Sequence, residues 1–165
     1  MKERLDVHIY KGKLIRANAL FSEDLTRRYE LIRLWGIGDP VCGFIGLNPS
    51  IADEKVEDPT IRRCMGFAKD WGYTGIVMLN AYPLISTIPQ KDMKNDIFND
   101  LVFLKWRDKL PMMVGCWGTQ IDDFREKEIK GIFPNLHVLK LTKNGHPSHP
   151  LYLPKSLKPV AWSTL

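Results

Sequence analysis

Long apolar runs are missing from this 165-residue chain. Nowhere do about 18 consecutive apolar residues occur, so no membrane-spanning helix is expected. The opening Met1-Lys2-Glu3-Arg4-Leu5-Asp6 leads into no apolar stretch of the signal-peptide kind. A cytoplasmic protein without a membrane partner is expected. Cysteine is sparse: Cys42, Cys64 and Cys116 are an odd number without close pairs. That argues against a disulfide framework and a four-cysteine iron–sulfur site. Each sits among apolar residues and reads as a small core residue. Repeats, low-complexity segments and linkers are also absent, so residues 1–165 are expected to form one domain. There is no Gly-x-Ser-x-Gly elbow, which speaks against a hydrolase triad. His146 and His149 with Asp53 or Asp58 match no standard metal-ligand spacing. Neither a metal nor a cofactor is expected.

What is present is a basic balance, with net charge +5 and a pI near 9.1. This is compatible with a polyanionic partner. Basic residues cluster at Arg27-Arg28, Arg62-Arg63, 140–143 and 155–158. Such clusters are usually solvated faces, and a phosphate backbone is the sharper reading.

Residues 8–20 carry branched and aromatic residues around Lys11-Gly12-Lys13, the pattern of a hairpin. Residues 29–35 fit strand or helix. The short apolar runs 41–47, 75–79, 112–116 and 136–141 predict four buried strands. Helices are predicted over 59–71, 93–106 and 121–132. The first has the clearest start, with Asp58 as cap and Pro59 at the first helical position. In the second, Ile97, Leu101 and Leu104 fall on one face and are expected to pack inward. Strand and helix alternate, so the expected fold class is a three-layer α-β-α arrangement. Its core is a central, mostly parallel, four-stranded sheet in order 2-1-3-4, with an N-terminal β extension.

Ligands of such sheets sit beyond the carboxyl ends of the strands. The segments there are Asn48-Pro49-Ser50, Asn80-Ala81-Tyr82, Trp117-Gly118-Thr119 and His146-Pro147-Ser148. An asparagine amide pairs with the edge of a nucleobase, one donor and one acceptor side by side. Histidine donates to an oxygen that gains charge. Tyr82, Trp117 or Tyr152 offers a ring for stacking. Taken singly, such an asparagine is usually a turn residue, and such a histidine is usually solvated.

Gly46-Leu47-Asn48-Pro49-Ser50 is similar to the first motif of the mismatch-type uracil-DNA glycosylases. Val77-Met78-Leu79-Asn80 resembles the strand ending in their base-reading asparagine, Val114-Gly115-Cys116-Trp117-Gly118 the following strand and turn, and His146-Pro147-Ser148 their last motif. The four occur in that family's order. A more specific resemblance covers nearly the whole chain. Leu47-Asn48-Pro49-Ser50, Asp58-Pro59-Thr60-Ile61-Arg62-Arg63, Gly66-Phe67-Ala68, Trp71-Gly72-Tyr73 and Thr142-Lys143-Asn144-Gly145-His146-Pro147 resemble the signature of domain of unknown function 1643, a family of bacteria and phages.

The glycosylase resemblance implies a uracil-DNA glycosylase-like domain that cleaves the N-glycosidic bond of a damaged, mismatched or modified base. DNA or a nucleotide would be the partner, and DNA repair or modification the setting. Asn48 would position water and His146 would stabilise the departing base. Asn80 would read that base, with Gly46, Leu47, Pro49, Ser50, Tyr82, Trp117 and Ser148 around it. Arg62, Arg63 and Lys143 would contact phosphates, and Leu151 would wedge into the duplex. An amide orients water without deprotonating it, so Asn48→Asp is expected to raise activity. Two features depart from the glycosylase pattern. His149 is inserted ahead of Pro150-Leu151, and Asp53, Glu54, Glu57 and Asp58 make the loop after Ser50 acidic. The alternatives are an enzyme acting on a free nucleotide or nucleoside, and a non-catalytic nucleic-acid binder.

Overall fold

Two residues reverse the chain near its start. Lys11 and Gly12 have φ of 48° and 75°, the type I′ geometry that matches strand twist in a tight hairpin. They join β1 (Lys2–Tyr10) to β2 (Lys13–Phe21), so the hairpin is longer than the sequence pattern predicts. The fold is described from a computed structural model, which covers residues 1–38, 40–53, 55–88 and 93–165. Asp39 and Glu54 lie outside the described residues. The ambiguous segment is a strand, β3 (Arg28–Leu34).

The four expected strands are β4 (Val41–Gly46), β5 (Gly75–Asn80), β6 (Met113–Gly115) and β7 (His137–Val138). They lie parallel, with β4 between β5 and β6 and with β7 beyond β6. The predicted order 2-1-3-4 of these strands is therefore present. The sheet as a whole differs from the expectation of four mostly parallel strands. It has eight strands, in order β1-β2-β3-β5-β4-β6-β7-β8, where β8 is Val160–Ala161. Pairings β1–β2, β2–β3, β3–β5 and β7–β8 are antiparallel. The extension does not stand apart from the sheet. Its third strand pairs directly with β5, which adds β1 to β3 at that edge.

Side chains alternate across β5. Ile76 and Met78 join the core on one face, while Val77 and Leu79 join the core on the other. On the first face lies α1 (Pro59–Asp70), with Ile61, Cys64, Met65, Phe67 and Ala68 buried. Asp58 caps it as expected, its side chain accepting from Ile61 N at 2.8 Å. On the second face lie α2 (Ile97–Arg107) and α3 (Asp123–Ile132). Both begin later than predicted, because Asp96 and Asp122 act as caps.

The expected inner stripe of α2 is outside. Ile97, Leu101 and Leu104 are exposed, and Asn99, Val102 and Phe103 are buried. Polar bonds set this rotation. Asn99 Nδ2 donates to Asn80 O at 3.0 Å, and buried Glu30 takes Lys105 Nζ and Trp106 Nε1. Leaving these buried partners unmet outweighs the transfer of three half-coverable side chains. No helix among the described residues is long and apolar enough to cross a membrane.

Candidate functional site

The carboxyl ends of β4, β5 and β6 open onto a cavity of about 400 Å³, the scale of a small-ligand site. Main-chain bonds stitch its walls. Ala81 N and Tyr82 N donate to Gly46 O and Leu47 O, and Ser86 N donates to Pro49 O. Cys116 N donates to Ile45 O. Asn48, Asn80 and Trp117 are thus held on neighbouring segments, and all three line the cavity with Gly46, Leu47 and Ser50. The cap of α1 closes one side through Asp58, Thr60 and Ile61.

Asn80 is the most informative residue. It is 2% exposed, and its Nδ2 has no hydrogen-bond partner among the described residues. A buried donor left unmet is costly and calls for an acceptor. Gly46 makes room for this amide. A Cβ at Gly46 would sit 2.8 Å from Met78 Cε and 3.1 Å from Asn80 Oδ1. Gly46→Ala is therefore expected to displace the amide and abolish most ligand binding. It should destabilise the fold by only about 1–3 kcal/mol. Calorimetric titration beside a urea melt checks both halves of that expectation.

Asn48 has a narrower role. Its Nδ2 donates to Ser86 O at 2.8 Å and Pro49 O at 3.1 Å, so its Oδ1 is what remains to offer. This geometry opposes the expected gain from Asn48→Asp. A carboxylate there would set an oxygen against two carbonyl oxygens.

His146 is not among the cavity-lining residues; His149 is. His146 Nδ1 bonds Glu126 Oε1 at 2.9 Å, and the same oxygen accepts from Trp117 Nε1 at 3.0 Å. His146 thus stands behind Trp117 and steadies it through Glu126. His149 Nδ1 accepts from Leu151 N at 3.4 Å, which leaves the proton on Nε2. Burial pushes this imidazole below its ordinary 6.5, with the Asp58 carboxylate pulling it back up. As pH falls, the unfolded chain takes the proton first. This part of the stability is full above about pH 6.5 and is lost as pH drops below it. The urea midpoint of the wild type should fall more steeply through that window than that of His149→Asn. The signal for His149 was visible in the sequence as the extra residue that breaks the His-Pro-Ser-Pro-Leu spacing.

Arg28 also lines the cavity, although its sequence context reads as a solvated basic pair. It is buried, its Nη1 donates to Ala52 O, and its Nε has no partner among the described residues. Burial pushes its guanidinium down to about 10, opposed first by the Asp58 carboxylate, so it stays charged at neutral pH. Glu57 and Asp58 of the acidic loop are folded onto such charges. Arg33 Nε donates to Glu57 Oε1 at 2.7 Å, and Glu57 and Asp58 are both buried.

The other expected residues sit elsewhere. Tyr82 is buried with its hydroxyl on Asp122, which together push its phenol to about 12, and its ring is not free to stack. Pro49 is buried beneath the loop, and Ser148 N donates to Lys140 O. Arg62 donates to Glu57 O. Arg63 donates to Leu153 O and covers the Phe67 ring at 4.7 Å. Neither arginine lines the cavity, and among the described residues neither pairs with an acidic side chain. Lys143 is exposed on a turn, Leu151 is half-buried in the turn Pro150–Tyr152, and Tyr152 is exposed.

The family described as protein of unknown function, DUF1643, matches residues 28–151. The chain belongs to this family. The matched segment of the DUF1643 protein runs from Arg28 to Leu151 and contains every cavity residue named above. No curated protein and no solved structure matches the chain. The glycosylase resemblance of this DUF1643 member therefore stands on its motif residues alone.

Proposed function

We propose that the cavity binds a nucleobase and that the protein hydrolyses its N-glycosidic bond in DNA. The observation that carries this reading is the buried amide of Asn80 on the cavity wall, whose Nδ2 has no partner among the described residues. A base edge with adjacent carbonyl and N–H groups satisfies such an amide. Trp117 supplies apolar surface beside it.

The glycosidic bond breaks through an oxocarbenium-like state, with its electron pair leaving on the base. His149 and Arg28 line the cavity, and His149 Nε2–H and the Arg28 guanidinium would be the donors for this charge. Asn48 Oδ1 orients a water. Asp58 gives one oxygen to Ile61 N as cap, and its other oxygen takes the water's proton as the sugar carbon is attacked. Asp58 thus supplies the carboxylate that the Asn48 motif lacks.

The test is a panel of single- and double-stranded DNA carrying uracil, mismatched thymine or modified bases, scored for abasic sites and free base. Base release from at least one substrate supports the reading, and none from any refutes it. One observation favours a second reading, an enzyme acting on a free nucleoside or nucleotide. Arg62 and Arg63 are turned onto main-chain carbonyls and do not flank the cavity. Consumption of free nucleoside without any release from DNA would select that reading. Binding of DNA or nucleotide with no turnover would select a non-catalytic binder.

A further inference from the structure

The two edges of the sheet are unlike. β8 is two residues long and follows Pro159, a blunted edge that resists pairing. β1 is nine residues long, contains no proline, and pairs with β2 without a bulge. One face of β1 is apolar and open to solvent, with Leu5, Val7 and Ile9 between 60 and 72% exposed. Leu14, opposite Ile9 on β2, is exposed on the same face. A long, unbulged, apolar edge of this kind is a template for another strand.

The directions of the free backbone groups follow from the turn. In a type I′ turn the closing pair, here Tyr10 and Lys13, is hydrogen-bonded. Alternation then turns the N–H and C=O groups of Arg4, Asp6, His8 and Tyr10 toward β2. Those of Leu5, Val7 and Ile9 point outward. An antiparallel second copy of β1 can meet them about a two-fold axis. Centred on Asp6, the pairing sets Asp6 against Asp6 and Arg4 against His8. Centred on Leu5, it sets Arg4 against Asp6, but it also sets Lys2 against His8 and Glu3 against Val7, and leaves Ile9 opposite Met1. Centred on Val7, it sets Asp6 against His8, Arg4 against Tyr10, Glu3 against Lys11 and Leu5 against Ile9. Of the three, only this last register sets Leu5, Val7 and Ile9 against one another, and it also faces Glu3 with Lys11.

We propose that the occupant of this edge is a second copy of the chain. The two β1 strands pair antiparallel about Val7 and join two eight-stranded sheets into one. The contact is isologous and closes on itself, which limits assembly to a dimer. The hairpin precedes the segment matched by the family, and none of its residues lines the cavity. The pairing leaves the cavity open.

The test is sedimentation equilibrium of the full chain across a range of concentrations, joined to cysteine crosslinking. The native cysteines are all buried, so an introduced surface thiol reports alone. The wild type should show a monomer–dimer equilibrium. Val7→Arg should weaken it by about tenfold or more, since like charges then face each other, with an unchanged melting curve at concentrations where both proteins are monomeric. Val7→Cys should form a disulfide-linked dimer under mild oxidation, because directly opposed hydrogen-bonded residues have Cα atoms about 5.5 Å apart. Leu5→Cys should not, as its counterpart in this register lies two pairs away. A chain that is monomeric throughout overturns the proposal. So does a dimer in which Val7→Cys fails to crosslink, or one in which Leu5→Cys crosslinks as well as Val7→Cys.

Discussion

Asn80→Ala is expected to reduce turnover of a base-bearing substrate by about 10²–10³, the scale for one preorganised donor. It should also flatten discrimination among bases, because the reading groups are gone rather than misplaced. The protein should remain folded. Among the described residues, Asn80 Nδ2 has no partner to lose, and the β5–α2 link uses its main-chain oxygen instead of its side chain. Removing an unmet buried donor is neutral or mildly stabilising. Stability that rises or holds while base release collapses is the signature of a residue kept for a ligand. A large loss of stability with normal base choice would show that Asn80 is structural. Melting curves and base-release rates on the same preparations separate these outcomes.

Asp58 carries two loads, and two substitutions divide them. Asp58→Ala removes the helix cap, worth about 1 kcal/mol, and leaves the buried Arg28 without its principal counter-charge. Breaking such a buried arrangement costs about 3–5 kcal/mol, so this variant is expected to be much less stable. Asp58→Asn keeps an oxygen for Ile61 N and retains most of the cap. It loses the ability to take a proton and, with its charge, the counter-charge to Arg28, so it too is destabilised, by less than Asp58→Ala. Hydrolysis should drop by about 10²–10⁴ in Asp58→Asn, while binding of free base is preserved. Urea unfolding of both variants, with single-turnover base release, checks this. Equal activity in Asp58→Asn and wild type would remove Asp58 from the chemistry.

The parallel core of the fold was legible because each strand is a short apolar run between turn residues. The residues 41–47 and 75–79 stand out for that reason, and β4 and β5 lie side by side as expected. The Asp58-Pro59 start of α1 was legible because capping is local chemistry. The rotation of α2 was not legible. Ile97, Leu101 and Leu104 have the spacing of an inner face, but Asn99 and Glu30 bind across the fold and turn that face outward. The addition of β1 to β3 was half legible: the hairpin could be read, its pairing with β5 could not.

The site divides the same way. Asn48, Asn80 and Trp117 follow strands, and strand ends can be read from apolar patterning. Arg28 opens a strand and enters the cavity from the antiparallel part of the sheet, which no local pattern announces. His146 and His149 are three residues apart, and the bonds to Glu126 and to Leu151 N decide which one faces the cavity. Both bonds are products of tertiary or turn geometry, so the motif leads to a loop at the cavity but does not tell which ring lines it.

The central claim is that a cavity with an unmet amide at Asn80 reads the edge of a nucleobase. Its most direct test is calorimetric titration of the wild type and Asn80→Ala with free uracil, thymine, guanine and cytosine. The account predicts saturable one-to-one binding of at least one base to the wild type, weakened by about tenfold or more in Asn80→Ala. Binding of no base by the wild type, or equal binding by the two proteins, would contradict it.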